Sequence, residues 1–263
     1  MQLVDIGANL THESFDQDRA AVVREAQGAG VAMFGITGTT VALSAAAVEL
    51  VREWPDVMFA TAGVHPHHAR DVDANAVREL TELAALPEVR AVGETGLDYF
   101  RDLSPRPVQL QAFERQIAIA VATRKPLFLH QRDAHADFLA VMRTARDHVT
   151  GGVVHCFTDS REALFAYLDL DLHIGITGWL CDERRGAHLR EMVRHIPAAR
   201  LMVETDSPYL LPRSLMPKPA HRRNEPKFLP HIVEELARDR GETFEITAAA
   251  TTATARAFFD LAG

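Results

Sequence analysis

The chain contains little of what marks secreted, membrane-spanning or disulfide-stabilised proteins. Cys156 and Cys181 are the only cysteines among 263 residues, and they form no C-x-x-C pair. This excludes a disulfide scaffold and indicates a reducing compartment. No apolar run approaches the roughly 18 residues of a transmembrane helix, and the N-terminus lacks the basic and apolar regions of a secretory signal. We therefore expect a cytoplasmic protein without a membrane partner.

Positive charge is scarce as well. The chain has 28 Lys and Arg against 36 Asp and Glu, for a formal net charge of −8. This argues against a protein that coats duplex nucleic acid, because such binding depends on a basic surface. It leaves room for an enzyme that binds one strand end in a locally basic pocket. With 47% hydrophobic residues, the chain can form one large core, and we expect a single domain over residues 1–263.

The sequence does contain a regular alternation of short apolar segments and amphipathic segments. The apolar segments are typical of buried parallel strands and span 2–6, 31–37, 57–64, 89–94, 126–131, 152–156, 172–177 and 200–204. The predicted helices span 16–27, 41–53, 73–86, 107–123, 134–148, 161–168, 184–195, 230–240 and 244–261. Strands alternating with helices predict a parallel sheet with right-handed crossovers. Eight such units predict an α/β fold of the (β/α)8 barrel type.

Four apolar runs lead into residues that can bind a metal ion. Glu94, His130, His155 and Asp206 lie at or just beyond the ends of predicted strands. The carboxyl ends of barrel strands meet on one face, so we expect these side chains to converge. Two imidazoles and two carboxylates predict a metal site for hydrolysis. Gly96 is expected to form a tight turn directly after the fourth strand, which would then end at Glu94.

The predicted site acids differ in their roles. Glu94 is predicted to be a catalytic metal ligand that can bridge two ions. Asp206 is predicted to be a ligand and the general base for the attacking water. Glu204 shares a strand face with Asp206 but lies deeper. Two interpretations of Glu204 stay open: it orients a ligand, or it is a buried acid paired with arginine or lysine.

Basic and aromatic residues recur in the loops that follow the predicted strands. Those predicted to bind substrate are His65, His67, Arg101, Arg132, Arg222 and Arg223. Arginine pairs with phosphate oxygens in a bidentate manner, and the histidines can hold a phosphate or a second metal. Tyr99 or Phe100 can stack on a base. The alternative for each of these residues is an ordinary solvated position.

Seven motifs distributed over nearly the whole chain resemble the TatD family of metal-dependent nucleases. They are Asp5-Ile6-Gly7-Ala8-Asn9-Leu10-Thr11, Gly63-Val64-His65-Pro66-His67, Gly93-Glu94-Thr95-Gly96-Leu97-Asp98-Tyr99, Leu129-His130, His155-Cys156-Phe157, Glu204-Thr205-Asp206-Ser207-Pro208 and Arg222-Arg223-Asn224-Glu225-Pro226. The resemblance implies a barrel related to the amidohydrolases that hydrolyses phosphodiester bonds with a divalent metal. By matching position, it implies that Glu94, His130, His155 and Asp206 form the metal and catalytic set.

One departure from the family pattern concerns the first strand. Many members have His-x-His there, whereas this chain has Gly7 and Asn9. This resembles the TatD subgroup proper, which is described as a Mg²⁺-dependent 3′-to-5′ exonuclease on single-stranded DNA and RNA. The change favours one well-held ion, or a second that arrives with substrate, and we expect Asn9 to contact a ligand. Mg²⁺ is the expected metal, with Mn²⁺ or Zn²⁺ as alternatives because imidazoles favour them.

These observations predict a metal-dependent 3′-to-5′ exonuclease that acts on the 3′ ends of single-stranded DNA or RNA. The resemblance implies a role in DNA repair or nucleic-acid turnover, and no obligate protein partner is expected. Two alternatives stay open. One is a related barrel hydrolase that acts on esters such as aminoacyl-tRNA. The other is a non-enzymatic binding protein with a vestigial site, which Gly7 and Asn9 would suit.

Overall fold

The computed structural model describes residues 2–261, which form eight strands and nine α-helices. The strands are β1 Leu3–Ala8, β2 Val31–Ile36, β3 Met58–Ala62, β4 Val89–Asp98, β5 Leu127–Arg132, β6 Gly152–Val154, β7 His173–Ile176 and β8 Leu201–Val203. The helices are α1 Arg19–Gly28, α2 Val41–Glu53, α3 Ala74–Ala84, α4 Arg106–Thr123, α5 His135–Ala145, α6 Arg161–Asp169, α7 Ala187–Met192, α8 Leu229–Arg240 and α9 Phe244–Phe258.

The strands follow one another in the sheet in chain order, from β1 to β8. This order, with a helix after each strand, is the connectivity of the (β/α)8 class, so the predicted fold class is confirmed. Every predicted strand and helix is present, and the differences lie at the ends. The predicted helix 184–195 is the shorter α7, followed by a 3-10 turn over Val193–His195. No helix within residues 2–261 is both long and apolar enough to cross a membrane.

The chain divides into two compact units, of which the first covers the described parts of Met1–Ile36, Cys156–Thr158 and Ile174–Gly263. In this unit β1 pairs in parallel with β2, and β7 pairs in parallel with β8. Helix α9 contacts β1 and β8, and α8 packs against α9. The side chains of Ile6, Phe34 and Val233 are fully buried in this apolar core.

The second unit covers Thr37–His155 and Asp159–His173 and contains β3 to β6, which pair in parallel in that order. Aromatic rings form part of its core: Phe113 and Phe138 are stacked with their ring centroids 5.6 Å apart, and Phe138 and Tyr167 meet edge to face at 5.2 Å. The two units contain four strands each. One domain over residues 1–263 stays a prediction.

Strand β4 does not end at Glu94 but continues to Asp98. The predicted turn at Gly96 is wrong, because Gly96 pairs with His130 inside the ladder between β4 and β5. Gly96 has a φ of +142°, and a Cβ atom there would lie 1.9 Å from the carbonyl oxygen of His130. The absence of a side chain therefore lets β5 approach β4 closely. As a result, one strand presents both Glu94 and Asp98.

We expect Gly96→Ala to lower the free energy of unfolding by about 2 kcal/mol or more, because its Cβ would collide with backbone at a φ that only glycine adopts readily. Gly28→Ala is the matched control. A Cβ at Gly28 meets nothing within 4 Å at the end of α1, so this change should be neutral or stabilising by up to about 1 kcal/mol. Urea unfolding measures both variants, and equal stabilities would contradict the close strand approach.

Candidate metal centre

One carboxylate oxygen organises a group of imidazoles in the second unit. Glu94 Oε1 lies 2.7 Å from Nε2 of His155, 2.9 Å from Nδ1 of His130 and 3.3 Å from Nε2 of His65. Glu94 is only 5% exposed, so the charge of its carboxylate depends on these neighbours. The structure thus brings three residues of the predicted metal set, Glu94, His130 and His155, into direct contact.

A second carboxylate, Asp98, lies on the other side of His130. Its Oδ2 lies 2.9 Å from Nε2 of His67 and 3.3 Å from Nε2 of His130. Its Oδ1 accepts the backbone N–H of Arg101 at 2.7 Å. His130 therefore contacts Glu94 through one ring nitrogen and Asp98 through the other. Sequence reasoning gave Asp98 no role, because it placed the end of β4 at Glu94.

Two sets of residues each have donor atoms close enough together to bind one ion. His65, Glu94 and His130 form the first set, and His65, His67 and Asp98 form the second. In each set the donor atoms lie within 4.8 Å of one another. Imidazole nitrogen and carboxylate oxygen are normal ligands of divalent metal ions such as Zn²⁺ and Mn²⁺. The residues present therefore fit a divalent metal. We call these five residues the donor cluster; it includes His65 and His67, which the sequence assigned to substrate.

The electrostatics of the donor cluster favour charged carboxylates. Burial alone would raise the pKa of Glu94, but His155 and His65 hold it well below its ordinary value. Burial opposes the charge of Asp98 too, yet the hydrogen bonds from His130 and His67 lower its pKa. Two anionic groups in a buried site attract a cation, so the cluster is prepared for an ion rather than for a neutral ligand.

The histidines of the donor cluster are not equivalent. Burial is the main reason why the pKa of His65 lies well below its ordinary value. Burial also acts against a charged His130, but hydrogen bonds to Asp98 and Glu94 outweigh it and raise the pKa of His130. Without an ion, His130 therefore retains a proton to higher pH than a free histidine. Because a metal ligand must be unprotonated, metal binding at His130 competes with this proton.

Local structure orients the imidazoles. Pro66 begins the 3-10 turn Pro66–Asp71, and Nδ1 of His65 accepts the backbone N–H of His67 at 3.1 Å. Neutral His65 then carries its proton on Nε2, the atom that faces Glu94, and becomes a ligand only when it gives up this proton. The His155 ring stacks on Phe128 with centroids 4.6 Å apart. Backbone and aromatic contacts thus fix the rings before any ion binds.

The first unit holds the other predicted catalytic acid, Asp206, which lies three residues beyond β8 with a φ of +52°. Its backbone N–H donates to the carbonyl of Gly7 at 2.8 Å. Asn9 Nδ2 donates to Asp206 Oδ1 at 3.0 Å and to the carbonyl of Ser207 at 3.2 Å. The side-chain amide of Asn9, which stands where many family members have histidine, thus orients the carboxylate of Asp206. A role for Asp206 at the same ion as Glu94 stays a prediction.

A buried acid that the sequence left without a role, Asp5, supports this segment. Asp5 accepts the backbone N–H of Thr205 at 2.9 Å and its hydroxyl at 2.6 Å. Burial raises the pKa of Asp5 to about 8, with the charge of Glu204 adding to the effect. Glu204 is fully buried, and its Oε1 accepts the backbone N–H of Cys156 at 2.6 Å. Asp5 thus anchors the residue before Asp206, and Glu204 anchors the segment that begins at Cys156.

The predicted phosphate-binding arginines fall into two groups. Arg101 and Arg222 are exposed, and the guanidinium carbon of Arg132 lies 4.5 Å from the centre of the Phe100 ring. Arg223, in contrast, donates to Asp18 at 3.0 and 2.6 Å and to Glu225 at 3.2 and 2.8 Å. These contacts do not support Arg223 as a substrate ligand, since its guanidinium already joins two acids.

The fold and the buried donors together fit one class of protein: a metal-dependent hydrolase of (β/α)8 type, with candidate metal donors on and just beyond its parallel strands. The comparisons with known proteins then identify the family. The family model for TatD related DNase matches residues 4–260, and the chain belongs to this family.

Relatives match along their whole length. The chain is 50% identical over 260 residues to a protein of Edwardsiella piscicida named 3′-5′ ssDNA/RNA exonuclease TatD, covering 99% of this chain and all of the relative. A protein of Pantoea vagans with the same name is 49% identical over 260 residues, with the same coverage. The crystal structure of a TatD family hydrolase from Entamoeba histolytica matches with a TM-score of 0.89, 24% identity and 98% coverage of both chains. At that identity, the last comparison supports the fold alone.

We expect Asp5→Asn to flatten the pH dependence of stability. The folded state holds the Asp5 proton up to a pKa of about 8, whereas the unfolded chain releases it near the ordinary value of 3.8. The stability that Asp5 contributes is therefore complete below that value and falls as the pH rises towards 8, by up to about 1.4 kcal/mol per pH unit. Asparagine stays neutral, so urea unfolding at pH 5 and pH 8 should differ less in the variant. The same pH dependence in both proteins would contradict this assignment.

Proposed function

We propose that the chain is a metal-dependent 3′-to-5′ exonuclease that hydrolyses phosphodiester bonds of single-stranded DNA and RNA. The observation that carries the proposal is the buried donor cluster, in which Glu94, His130 and Asp98 lie in contact. Relatives about half identical over their whole length bear the name of this activity. An intact set of buried acids and imidazoles also argues against a vestigial site, because burying carboxylates costs free energy even when they are paired, and a fold without a ligand gains nothing from it.

The donor cluster would hold an ion through His65, Glu94 and His130, and its other set of donors is His65, His67 and Asp98. A divalent ion at this position supplies Lewis acidity to a phosphoryl oxygen and lowers the pKa of a bound water. Mg²⁺ is the proposed physiological ion, as the sequence predicts. The imidazole-rich donor sets favour tighter binding of Mn²⁺ and Zn²⁺.

Residues of the chain itself are proposed to accept the proton of the attacking water and to contact the phosphate. Asp206 is the proposed general base that takes the proton from the attacking water. Its side chain is oriented by Asn9, whose Nδ2 donates to Asp206 Oδ1 at 3.0 Å. Glu94 keeps its negative charge because of the surrounding histidines. Arg101 lies three residues beyond Asp98, which ends β4, and Arg132 is the last residue of β5, two after His130. Both are proposed to offset charge on the phosphate.

Phe100 is the proposed stacking platform for a base of the substrate. Its side chain is 58% exposed, and Arg132 lies over its ring. Asp98, a member of the donor cluster, pairs with Arg132 in the ladder between β4 and β5. Phe100 follows two residues after Asp98. Stacking requires an unpaired base, which explains a preference for single strands.

We also propose a compartment and a pathway. Cys156 and Cys181 form no disulfide with each other, which suits the proposed reducing cytoplasm. A role in DNA repair or nucleic-acid turnover stays a prediction. An ester-cleaving activity on aminoacyl-tRNA is the predicted alternative.

The activity is tested with oligonucleotides labelled at the 5′ end. We expect a ladder that shortens from the 3′ end, is lost with EDTA and returns on addition of Mg²⁺, Mn²⁺ or Zn²⁺, compared side by side. Duplex DNA with blunt ends is the control substrate and should be degraded more slowly. Release of amino acid from aminoacyl-tRNA without any shortening of oligonucleotides would favour the ester-cleaving alternative.

We expect Asp206→Asn to lower kcat by at least about a hundredfold, because an amide cannot accept the proton of the attacking water. Asparagine retains an oxygen that can accept the hydrogen bond from Asn9, so the local structure should persist. Single-turnover hydrolysis and circular dichroism would be measured on both proteins. Undiminished turnover by the variant would end the assignment of Asp206 as general base.

We expect Phe100→Ala to raise the KM for a single-stranded oligonucleotide by about fivefold or more, since stacking on an aromatic ring contributes about 1–3 kcal/mol per base. Phe165→Ala is the matched control. Phe165 lies on α6, is 38% exposed, and has the guanidinium carbon of Arg161 at 5.4 Å from its ring. An equal effect of the two changes would show that Phe100 is not a base platform.

A further inference from the structure

Two glutamines are buried on the same side of helix α4. Gln109 and Gln116 are each 1% exposed. They are seven residues apart, or two helical turns, so their side chains point in the same direction. Helix α4 packs against β4 and against the 3-10 turn Pro66–Asp71. A buried amide group destabilises the fold unless its donors and acceptor are all satisfied, so the partners of these two side chains are informative.

Gln116 binds the backbone just before His65. Its Oε1 accepts the N–H of Val64 at 2.7 Å, and its Nε2 donates to the carbonyl of the same residue at 3.0 Å. Nε2 also lies 3.3 Å from the carbonyl of Ala112. β3 has ended at Ala62, so the side-chain amide of Gln116 satisfies both polar groups of Val64 as a neighbouring strand would.

Gln109 makes the same kind of contact with Asp98. Its Oε1 accepts the N–H of Asp98 at 2.9 Å, and its Nε2 donates to the carbonyl of that residue at 3.1 Å. The Nε2 also donates to the carbonyl of Ser104 at 2.8 Å, which ties down the loop that follows. The backbone of Asp98 is thus held by one side chain while its carboxylate contacts His67 and His130.

The two contacts converge on the donor cluster. His65 belongs to both sets of donor atoms, and Asp98 belongs to one. The backbone that presents each of them is fixed at its N–H and its C=O by a glutamine of α4. Neither glutamine belongs to a donor set itself. Groups that fix ligands in this way typically change metal affinity when they are removed.

We propose that Gln109 and Gln116 are positioning residues that preset Asp98 and His65 for the ion, so that metal affinity depends on helix α4. The proposal rests on the proposed metal-dependent function. Loss of either side-chain amide leaves a buried backbone N–H and C=O without their partners. The backbone then moves to find others, and the donor atoms lose their mutual spacing. Removal of one amide should therefore weaken binding of the ion by about 10- to 100-fold.

The test is calorimetric titration of Mn²⁺ into the metal-free full chain. Gln109→Met and Gln116→Met keep the side-chain length but remove both hydrogen-bonding groups, and each should lower Mn²⁺ affinity by about 10- to 100-fold. Gln111→Met is the matched control, because Gln111 is exposed on the same helix, and its affinity should equal that of the unchanged protein.

A second pair of variants covers the case in which methionine prevents folding. Gln109→Glu and Gln116→Glu retain the oxygen that accepts the backbone N–H, and the buried acid in its neutral form can donate to the carbonyl that Nε2 contacts. Their loss of affinity should therefore be smaller. The Tm of each variant is measured without metal to distinguish a purely structural role from a role in metal binding. A lower Tm with unchanged Mn²⁺ affinity would overturn the proposal. Absence of Mn²⁺ binding by the unchanged protein would instead overturn the metal site, and the proposed function and this proposal with it.

Discussion

The structure depends on a single buried carboxylate oxygen, Oε1 of Glu94, which lies within 3.3 Å of three imidazoles. An unpaired carboxylate at this depth would be neutralised by a shift in its pKa, because burial disfavours the charged form. The histidines keep the group ionised, and they reach it from β5, from the segment after β6 and from the loop after β3. The neighbouring strands thus need a fixed register, which requires the close approach that Gly96 permits.

Periodicity in the sequence was sufficient to find the strands and helices, and the rule that strand ends converge found Glu94, His130 and His155. It failed for Asp98 because the apolar run stops four residues earlier and Gly96 is equally typical of a turn. What decides between turn and strand is the approach of the His130 carbonyl, a contact between distant segments that no local pattern contains. Asp5 was missed for a related reason: its pairing with Thr205 spans 200 positions.

The contacts of Asn9 show what this residue does where many family members have the second histidine of His-x-His. A histidine there can ligate an ion, whereas the asparagine donates a hydrogen bond to Asp206. The position changes from a proposed ligand to a proposed orienting group. The substitution therefore does not by itself indicate a vestigial site. We propose that this residue supports a fixed base where a histidine would support a second bound ion, in line with the catalytic role proposed for Asp206.

The positions of basic residues in the sequence do not by themselves predict which side chains bind a nucleic-acid strand. The adjacent arginines Arg222 and Arg223 look equivalent in the sequence, yet only Arg223 is held by two acids. The net charge of the chain is −8. We therefore propose that affinity for a polyanion comes mainly from the proposed ion and from stacking on Phe100, because neither needs a basic surface. Both act on one terminal nucleotide and its neighbours, so a site of this composition favours a strand end over a long duplex.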